Sequence, residues 1–471
     1  MNNSNQLQRK QTTKHLGHLE EVVLETGSHQ GALSNYSVLA KSERENDVEI
    51  EESNLLEKIL MRENMILAIK RVEKNKGSHG VDGMKYDELR ANIIRNWKSI
   101  KQKLLEGTYK PAPVRRTEIP KPNGGTRLLG IPTVIDRMIQ QAIAQELSKI
   151  YEPTFSDSSY GFRPGRSQHM AIRKAKEYIN EGYKWVVDTD LEKYFDTVNH
   201  DILMERLSRK IKDKRVLKLI RKYLESGIMM NGLVKLSEEG VPQGGPLSPL
   251  LSNIMLDEVD KELEKRGHRF CRFADDCNVY VKTKKAGERV LKSIKNLIEN
   301  KLKLKINEAK SAIDLVDKRK FLGFSFYFTE KGAEIRIHPK SYERFKAKIK
   351  EKTNRNTGIS MGYRLKKLGE VTNGWINYYG IAKGKRKLKR IEGWTRRRLR
   401  ACIWKQWKRV RTRYKNLAKL GTPKYEAWRY ANTRKGYWRI SNSPILSITL
   451  NNKYLEKLGY KSIIKRYQLI H

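Results

Sequence analysis

Two β-rich runs that carry paired aspartates constrain the fold of this chain more than any other feature of its sequence. The run WVVDTDL (185–191) ends on Asp188 and Asp190, and FCRF followed by CNVYVKT predicts two strands joined by a turn at Asp275 and Asp276. Carboxylates at strand ends are out of keeping with a chain whose formal net charge is +45. These acids therefore need either a structural or a chemical explanation.

A pair of bound metal ions would explain the acids chemically. Two Mg²⁺ ions about 3.5–4 Å apart activate an attacking hydroxyl and stabilise a leaving oxygen, and Mg²⁺ takes oxygen ligands from few carboxylates. The structural alternative is a tight turn, because consecutive aspartates are common at turns and at helix N-termini. For the motif Phe273-Ala274-Asp275-Asp276 taken alone, both explanations stay open.

The excess of positive charge predicts a polyanionic partner, and nucleic acid is the first candidate. Residues 331–471 carry 39 Lys and Arg against seven Asp and Glu, whereas residues 1–52 carry five against nine. Six of the eight tryptophans also follow residue 331. Cations mixed with aromatic rings suit a surface that neutralises phosphates and stacks on bases, and the alternative for the tryptophans is a packed core.

The sequence argues against a membrane, secreted or zinc-binding protein. No run of 18 apolar residues is present, and the N-terminus lacks a signal pattern, so we expect a cytoplasmic protein that has no membrane partner. The three cysteines, Cys271, Cys277 and Cys402, are too few for a disulfide framework and lack the paired spacing of a structural zinc site.

Hydrophobic periodicity predicts a mainly helical chain with a few strands. Asn123-Gly124 between two extended runs is the strongest short hairpin signal, and it predicts that Lys121 and Arg127 lie near one another. Residues 1–53 show no sustained period and are predicted to be a mobile extension. Helices are predicted over 54–75, 86–106, 133–150, 167–181, 201–226, 250–266 and 286–302, followed by a basic helical region after 340.

The order of the motifs is more specific than any one of them. Asp190 is followed at five residues by Phe195, then by QGGPLSP, FADD between strands, Lys310 and FLGF, and this order resembles the palm of reverse transcriptases. SYGFRPGRS (159–167), GWINYYG (374–380) and IEGWTRRRLRACIWKQWKRVRTR (391–413) extend the resemblance. Over roughly residues 54–471, the chain looks like the bacterial group II intron-encoded reverse transcriptase–maturases.

The resemblance implies an α+β fold arranged as a right-hand polymerase. Fingers and palm, with an antiparallel palm sheet, would occupy residues 54–330, an α-helical thumb and maturase domain 331–415, and a small basic DNA-binding segment 416–471. Many family members continue into an endonuclease. This sequence ends at His471 without one and most resembles the endonuclease-lacking class C members.

The implied function is an RNA-directed DNA polymerase that copies intron RNA into DNA during retrohoming and binds that RNA to promote its splicing. Two alternatives stay open: a reverse transcriptase of a defence or CRISPR-associated system, and a maturase that only binds RNA for splicing. The implied partners are group II intron RNA, an RNA template with a DNA primer, target DNA and deoxynucleoside triphosphates. The implied location is the bacterial cytoplasm, at the nucleoid through bound DNA.

The resemblance also implies a metal site at Asp190, Asp275 and Asp276, which would hold two Mg²⁺ ions, with Mn²⁺ as a substitute. Asp188 lies two residues before Asp190 on the same strand face and competes for its role. Asp190 is preferred because Phe195 then falls where the family places an aromatic under the sugar, which would disfavour ribonucleotides. The alternative for Phe195 is a plain core aromatic.

Four further residues would act on the nucleotide. Lys121 and Arg127 match the cations that grip the incoming triphosphate, Gln243 can hydrogen-bond the nucleotide or template, and Lys310 matches a lysine that protonates the pyrophosphate. The alternatives are a solvated hairpin tip for Lys121 and Arg127 and a solvated helix end for Lys310.

The remaining candidates contact the primer and the RNA. Phe321, Leu322 and Gly323 resemble the primer grip, although a core strand explains their apolar character equally well. A helical cluster beside Trp394 is predicted to bind RNA phosphates, and helical spacing places three of its four members on one face. The members are Arg396, Arg397, Arg398 and Arg400.

Overall fold

The computed structural model describes residues 54–120, 125–230, 233–235 and 239–470. The predicted extension over 1–53, the hairpin tip at Asn123-Gly124 and the candidate Lys121 lie outside these residues. The chain divides into two units. One comprises the described residues of Met1–Ala171 and Val187–Ile313, and the other those of Ile172–Val186 and Asp314–His471.

The N-terminal helices differ from the sequence prediction. A single helix over 54–75 is wrong, because Met61 leaves helical geometry (ψ 142°) and separates α1 (Leu55–Ile59) from α2 (Arg62–Asn75). The side-chain amide of Asn64 donates to the Ile59 carbonyl, which the break leaves without a helical partner. Both helices bury apolar faces, and the same amide also reaches the Ala142 carbonyl.

The remaining helices of the first unit match the predicted positions, with one exception. The single helix predicted over 201–226 is wrong, because Asp213 caps a second helix by accepting from the Arg215 N–H. The helices in chain order are α3 (Leu89–Leu105), α4 (Val134–Tyr151), α5 (Gln168–Asn180), α6 (Tyr194–Thr197), α7 (His200–Ser208), α8 (Lys214–Glu225), α9 (Ser248–Lys265) and α10 (Lys284–Asn296). α5 straddles the boundary of the units.

The acidic strands belong to one four-stranded sheet. Its strands are β3 (Trp185–Thr189), β6 (Arg269–Phe273), β7 (Asp276–Val281) and β8 (Ala312–Leu315), in the order β6-β7-β3-β8. β6 and β7 form an antiparallel hairpin in which Phe273 faces Asp276, so that Ala274 and Asp275 alone make the turn. The central position of β3 and β7 places the two acidic segments side by side.

A second sheet contains the predicted hairpin. It consists of β1 (Val114–Pro120), β2 (Thr126–Ile131), β4 (Ile228–Met230) and β5 (Leu233–Lys235), in the order β2-β1-β4-β5. β1 and β2 pair antiparallel, with Ile119 opposite Arg127, which confirms the two arms of the hairpin.

The second unit is a small hairpin followed by helices. β9 (Phe324–Thr329) and β10 (Gly332–Ile337) pair antiparallel. The helices are α11 (Pro339–Lys352), α12 (Met361–Tyr379), α13 (Lys385–Gln406), α14 (Val410–Lys419), α15 (Lys424–Ala431), α16 (Tyr437–Ile440), α17 (Pro444–Thr449), α18 (Asn452–Lys457) and α19 (Ile463–Gln468). Among the described residues, no helix is long and apolar enough to cross a membrane.

The tryptophans of this unit divide between the core and the surface. Trp404 is buried, and Trp375 stacks on Phe345 with ring centroids 4.0 Å apart. Trp428 and Trp438 remain 56% and 38% exposed. The fold confirms the predicted α+β class with an antiparallel hairpin in the acidic sheet and a helical C-terminal region, whereas the domain boundaries at 330 and 415 stay predictions.

Candidate active site

Asp190 follows β3 and is held by a segment more than 100 residues later. Its N–H donates to the Ser311 hydroxyl at 3.0 Å, and its carbonyl accepts from the Asn307 N–H at 2.8 Å. The turn over 307–311 brings Lys310 against the acid, with Nζ 2.8 Å from Asp190 Oδ2. Two residues predicted to act in catalysis are therefore in direct contact.

Asp275 occupies a tight turn. Ala274 before it has φ +58°, a backbone conformation that non-glycine residues adopt rarely and that costs about 1–3 kcal/mol. Asp275 is half-buried, and Asp276, the first residue of β7, is exposed. The predicted acid pair thus lies at the end of the hairpin.

The charges of three other predicted site residues act on the Asp275 carboxyl. Burial raises the pKa of the Asp275 carboxyl, the neighbouring Asp190 charge raises it further, and the charges of Arg127 and Lys310 act in the opposite direction. Four predicted site residues from four separate segments are thus within electrostatic reach of one another.

Asp188, the rival of Asp190, acts on two buried groups of β7. Burial raises the pKa of the Cys277 thiol to about 12, and the Asp188 charge adds to this rise. Asp188 also adds to the rise that burial imposes on the pKa of the Tyr280 hydroxyl. The charge of Asp190, the residue directly after β3, acts on the Asp275 carboxyl.

The candidate nucleotide contacts Arg127 and Gln243 are also brought together. Arg127 Nε donates to Gln243 Oε1 at 2.7 Å, and the Gln243 carbonyl accepts from the Gly130 N–H at 2.7 Å. Gly244 follows at φ +129°, and a Cβ there would collide with the Gly130 carbonyl oxygen. The glycine is required for this close approach of the loop to β2.

Phe195 lies beside the same loop. Its ring is half-buried and meets the Tyr194 ring edge-on, with centroids 5.1 Å apart, and its carbonyl accepts from the Val241 N–H at 2.7 Å. Tyr194 is the fully buried member of the pair, with its hydroxyl donating to the Ser252 carbonyl. The role of Phe195 under the sugar stays a prediction.

The acids fit a divalent cation by their chemistry. Asp190 and Asp275 offer carboxylate oxygens, which hard divalent cations prefer. Burial and, after it, the Asp190 charge raise the Asp275 pKa, and a bound cation would relieve the repulsion between the two carboxylates. Within the described residues, no three His, Cys, Asp or Glu side chains are arranged to hold a metal ion together. Lys310 places a positive charge beside Asp190.

Sequence reasoning missed the group that supports the acidic turn. Arg272 on β6 is 1% exposed and pairs with the fully buried Asp260 of α9, with Nη2 2.5 Å from Asp260 Oδ2. Burial opposes the charge of Arg272, but the Asp260 charge and hydrogen bonds overcome this and raise its pKa. The only sequence signal was an arginine within an otherwise apolar strand, FCRF.

In the second unit, the candidate primer grip is a tight turn rather than a strand. Phe321 and Phe324 exchange two backbone hydrogen bonds at 2.9 and 3.0 Å, and Leu322 and Gly323 between them have φ +49° and +87°. The Tyr378 hydroxyl donates to the Leu322 carbonyl at 2.9 Å. Phe321 is buried and Leu322 half-exposed, while contact with a primer stays a prediction.

The four arginines predicted to bind RNA are half-buried, and each has a partner within the unit. Arg396 pairs with Glu392, and Arg397 stacks on the Trp438 ring at 3.9 Å. Arg400 donates to the Ser441 carbonyl, and Arg398 turns the other way to the Thr353 hydroxyl. Helical spacing therefore gave the correct faces, and these side chains hold α13 against its neighbours, while their contact with RNA stays a prediction.

A different set of cations on α13 is exposed. The first turns of this helix read KRKLKR, and all of these residues except the buried Leu388 are exposed. They lie outside the arginine run and were not predicted as RNA contacts. The exposed set is Lys385, Arg386, Lys387, Lys389 and Arg390.

Comparison with known families covers both units. Residues 119–326 match the family described as reverse transcriptase (RNA-dependent DNA polymerase), and residues 342–421 match the group II intron maturase-specific domain. The chain is 37% identical over 303 residues to Protein YkfC of Escherichia coli (strain K12), covering 56% of this chain and 80% of that protein. This chain belongs to the group II intron reverse transcriptase–maturases.

A second relative of this reverse transcriptase–maturase is the group II intron-encoded protein LtrA of Lactococcus lactis subsp. cremoris. Identity is 39% over 224 residues, which is 47% of this chain and 37% of LtrA. The chain thus spans well under half of LtrA. A solved structure titled partial Cas6-RT-Cas1--Cas2 complex is similar at 28% identity and a TM-score of 0.34, over 52% of this chain and 42% of that one.

The family assignment confirms the predicted reverse transcriptase and maturase classes. An RNA-directed DNA polymerase of this family works with divalent metal ions and with nucleic-acid substrates, including intron RNA. The two-domain order, polymerase before maturase region, is the order that the motifs predicted.

Proposed function

We propose that this reverse transcriptase–maturase copies its host group II intron RNA into DNA at Asp190, Asp275 and Asp276 with two Mg²⁺ ions. We also propose that it binds that RNA to promote splicing before retrohoming. The single observation that supports the catalytic part most strongly is the convergence of Asp190, Asp275, Arg127 and Lys310 from four segments of the chain.

Each residue has a task in this proposal. Mg²⁺, when bound by the three acids, would lower the pKa of the primer 3′-hydroxyl and neutralise charge on the phosphates. Arg127 draws negative charge from the triphosphate, and Gln243 orients both Arg127 and the nucleotide through its amide. Lys310, whose Nζ lies 2.8 Å from Asp190 Oδ2, is placed to give a proton to the departing pyrophosphate. Phe195 excludes a 2′-hydroxyl by bulk.

The proposed intron-RNA contact is the exposed cation set at the start of α13. Five positive side chains in six residues repel one another and also face the positive end of the helix dipole, which favours negative charge there. The acidic residues of this unit are few, so RNA phosphates are the natural counter-charge. The half-buried arginines over 396–400 then support the helix that carries this surface.

The proposed DNA contact lies on α14 and α15. Tyr425 is 75% exposed and Trp428, one helical turn later, is 56% exposed and edge-on to Tyr414. Residues 409–439 contain ten Lys and Arg and a single acid, Glu426. Exposed rings among cations suit unpaired bases of a nucleic acid, in keeping with the predicted DNA-binding segment over 416–471.

A reverse transcriptase of a defence or CRISPR-associated system is the less favoured function, because the maturase match over 342–421 supports an intron RNA partner. The proposed location is the bacterial cytoplasm, at the nucleoid. RNA bound to protein purified from its host distinguishes these two functions: intron sequence supports the proposal, and RNA without intron domains contradicts it.

Primer extension tests the polymerase proposal directly. The purified protein should extend a DNA primer on an RNA template with deoxynucleotides and Mg²⁺, should stop when the metal is chelated, and should recover when Mg²⁺ or Mn²⁺ is restored. Extension that persists in excess chelator contradicts the metal-dependent chemistry. A protein that binds intron RNA yet extends no primer would instead be a splicing-only maturase.

A further inference from the structure

A fully buried arginine lies behind the turn that carries Asp275. Arg272 stands three residues before it on β6, and its guanidinium donates five hydrogen bonds, which is the full number available to an arginine. A buried guanidinium whose donors all have acceptors is held in a single orientation.

One of these hydrogen bonds reaches the turn itself. Arg272 Nη1 donates to the carbonyl oxygen of Ala274 at 3.0 Å. This carbonyl belongs to the planar peptide that joins Ala274 to Asp275, so the bond fixes the orientation of the backbone from which the Asp275 side chain departs. Ala274 is at φ +58°, and its neighbours must therefore impose a conformation that the residue does not favour alone.

The other four hydrogen bonds anchor Arg272 to two separate segments. Asp260 and Asn253 on α9 accept from Nε, Nη1 and Nη2 at 2.5–3.0 Å, and the Ser159 hydroxyl accepts from Nη2 at 2.8 Å. Asn253 in turn donates to the Gly161 carbonyl at 2.8 Å. Gly161 lies so close to Ala274 that a Cβ would collide with the Ala274 nitrogen.

We propose that Arg272 is a positioning residue for DNA synthesis, which holds the Ala274–Asp275 peptide so that the Asp275 carboxylate stays beside Asp190. The inference rests on the proposed polymerase function. The ion pair with Asp260 uses two of the five donors, and burial requires partners for the other three. The hydrogen bond to the Ala274 carbonyl is the contact that links the pair to the chemistry.

The chain offers a matched control for this role. Arg364 in the second unit is 2% exposed and likewise donates to backbone carbonyls, those of Lys352, Asn354 and Thr357. Arg272→Lys and Arg364→Lys both keep the positive charge but lose the planar guanidinium, because a lysine ammonium cannot reach several acceptors in fixed directions. Both should therefore lower the melting temperature, but only the first should disturb Asp275.

The test measures kcat at saturating template–primer, KM for deoxynucleotide, melting temperature, and Mn²⁺ binding by the protein alone. Arg272→Lys should reduce kcat about 10- to 100-fold, with KM for deoxynucleotide changed less than about threefold, and should weaken Mn²⁺ binding about tenfold. Arg364→Lys should keep kcat and Mn²⁺ affinity within about twofold at a similar loss of melting temperature.

Asn253→Ala covers the case in which Arg272→Lys does not fold. Arg272 Nη1 donates both to the Asn253 amide oxygen and to the Ala274 carbonyl, and this substitution removes the first acceptor. It should reduce kcat about threefold to tenfold in the folded protein. Unchanged kcat in folded Arg272→Lys, or in Asn253→Ala when the lysine variant is unfolded, overturns the inference, as does an equal loss of kcat in Arg364→Lys. A wild-type protein that extends no primer overturns the polymerase proposal itself, and this inference with it.

Discussion

The first unit has an acidic centre, formed by Asp190 and Asp275, and the second unit has basic helices. Charge is arranged differently in these two regions. In the first, a few carboxylates converge at one sheet edge, and each has specific partners: Lys310 contacts Asp190, and Arg272 supports the turn of Asp275. In the second, residues 331–471 spread 39 cations over many helices against seven acids.

Because of this difference, the two functions should fail in different ways. Chemistry that depends on a few groups in one geometry is lost with any one of them. Binding that depends on many similar cations weakens in steps and responds to salt, because each phosphate contact releases counterions. Mutations should therefore give abrupt effects in the first unit and graded, salt-dependent effects in the second.

The largest effect should come from Asp190, the aspartate directly after β3. Asp190→Asn should reduce the rate of single-nucleotide incorporation about 1,000-fold, because a lost metal ligand withdraws several kcal/mol of transition-state stabilisation. Asp188→Asn is the matched control and should retain the rate within about tenfold, since its charge acts on the buried Cys277 and Tyr280 of β7. The reverse ranking in a rapid-quench assay would reassign the metal site to Asp188.

A smaller effect is expected at the fingers hairpin. Arg127→Ala should reduce kcat/KM for deoxynucleotide about 10- to 100-fold. It removes both the positive charge proposed to contact the triphosphate and the hydrogen bond to Gln243. Arg209→Ala removes an exposed arginine that pairs with Glu205 on α7, and it should leave steady-state incorporation unchanged. Equal kinetics for Arg127→Ala and the wild type would mean that Arg127 is a solvated hairpin cation.

Two quartets of α13 should behave differently within the second unit. Replacing Lys385, Arg386, Lys389 and Arg390 with Ala should weaken intron-RNA binding about tenfold near physiological salt and flatten its log–log salt slope by about 0.7–0.9 per lost contact. Replacing Arg396, Arg397, Arg398 and Arg400 should instead lower the melting temperature by about 5 °C or more, because intramolecular hydrogen bonds are lost.

Filter binding across a salt series, beside thermal melts, checks both quartets. If the arginine quartet changes the salt slope while its melting temperature stays unchanged, these arginines bind RNA, as their sequence pattern predicted. Their contacts with neighbouring segments would then contribute little to stability.

The smallest effect should come from a single exposed ring. Trp428→Ala should weaken binding of single-stranded DNA about fivefold or more, since stacking of one base contributes about 1–3 kcal/mol, and Trp428→Phe should retain most of the affinity. Ile448→Ala is the control, because Ile448 is 71% exposed in the same unit but is not aromatic. Fluorescence titration against an unstructured oligonucleotide measures all three variants, and equal affinities would exclude a stacking site.

The segments that carry Asp190 and Asp275 could be identified from the sequence because their signals are local. The spacing from Asp190 to Phe195 and the Phe-Ala-Asp-Asp turn can be read within single segments, and the sheet brings the segments together as expected. The helix break at Met61 was missed because helical periodicity continues on both sides of it. The residue that indicates the break is Asn64, whose side-chain amide donates to the Ile59 carbonyl at the end of α1.

The support of the site could not be predicted in the same way. Arg272 and Asp260 lie in different elements, and nothing in either segment indicates that they meet in the interior. The same limit applied to α13, where periodicity gave the correct face for Arg397 and Arg400 but not the segment, around Trp438 and Ser441, that covers it. The hydrophobic pattern of one helix or strand predicts which face a residue lies on. Whether that face is buried depends on the element packed against it.

A paired assay of Asp275→Ala, with primer extension on an RNA template beside intron-RNA binding across salt, tests most directly whether chemistry and RNA binding are separate. We predict that extension is abolished while affinity and salt slope stay at the wild-type values, because one acid of the first unit contacts no phosphate. The Lys385, Arg386, Lys389 and Arg390 quartet should give the converse result on a short generic template. Near-normal extension by Asp275→Ala, or a parallel loss of both activities in both variants, would contradict the separation of a few-residue chemical centre from a distributed RNA-binding surface.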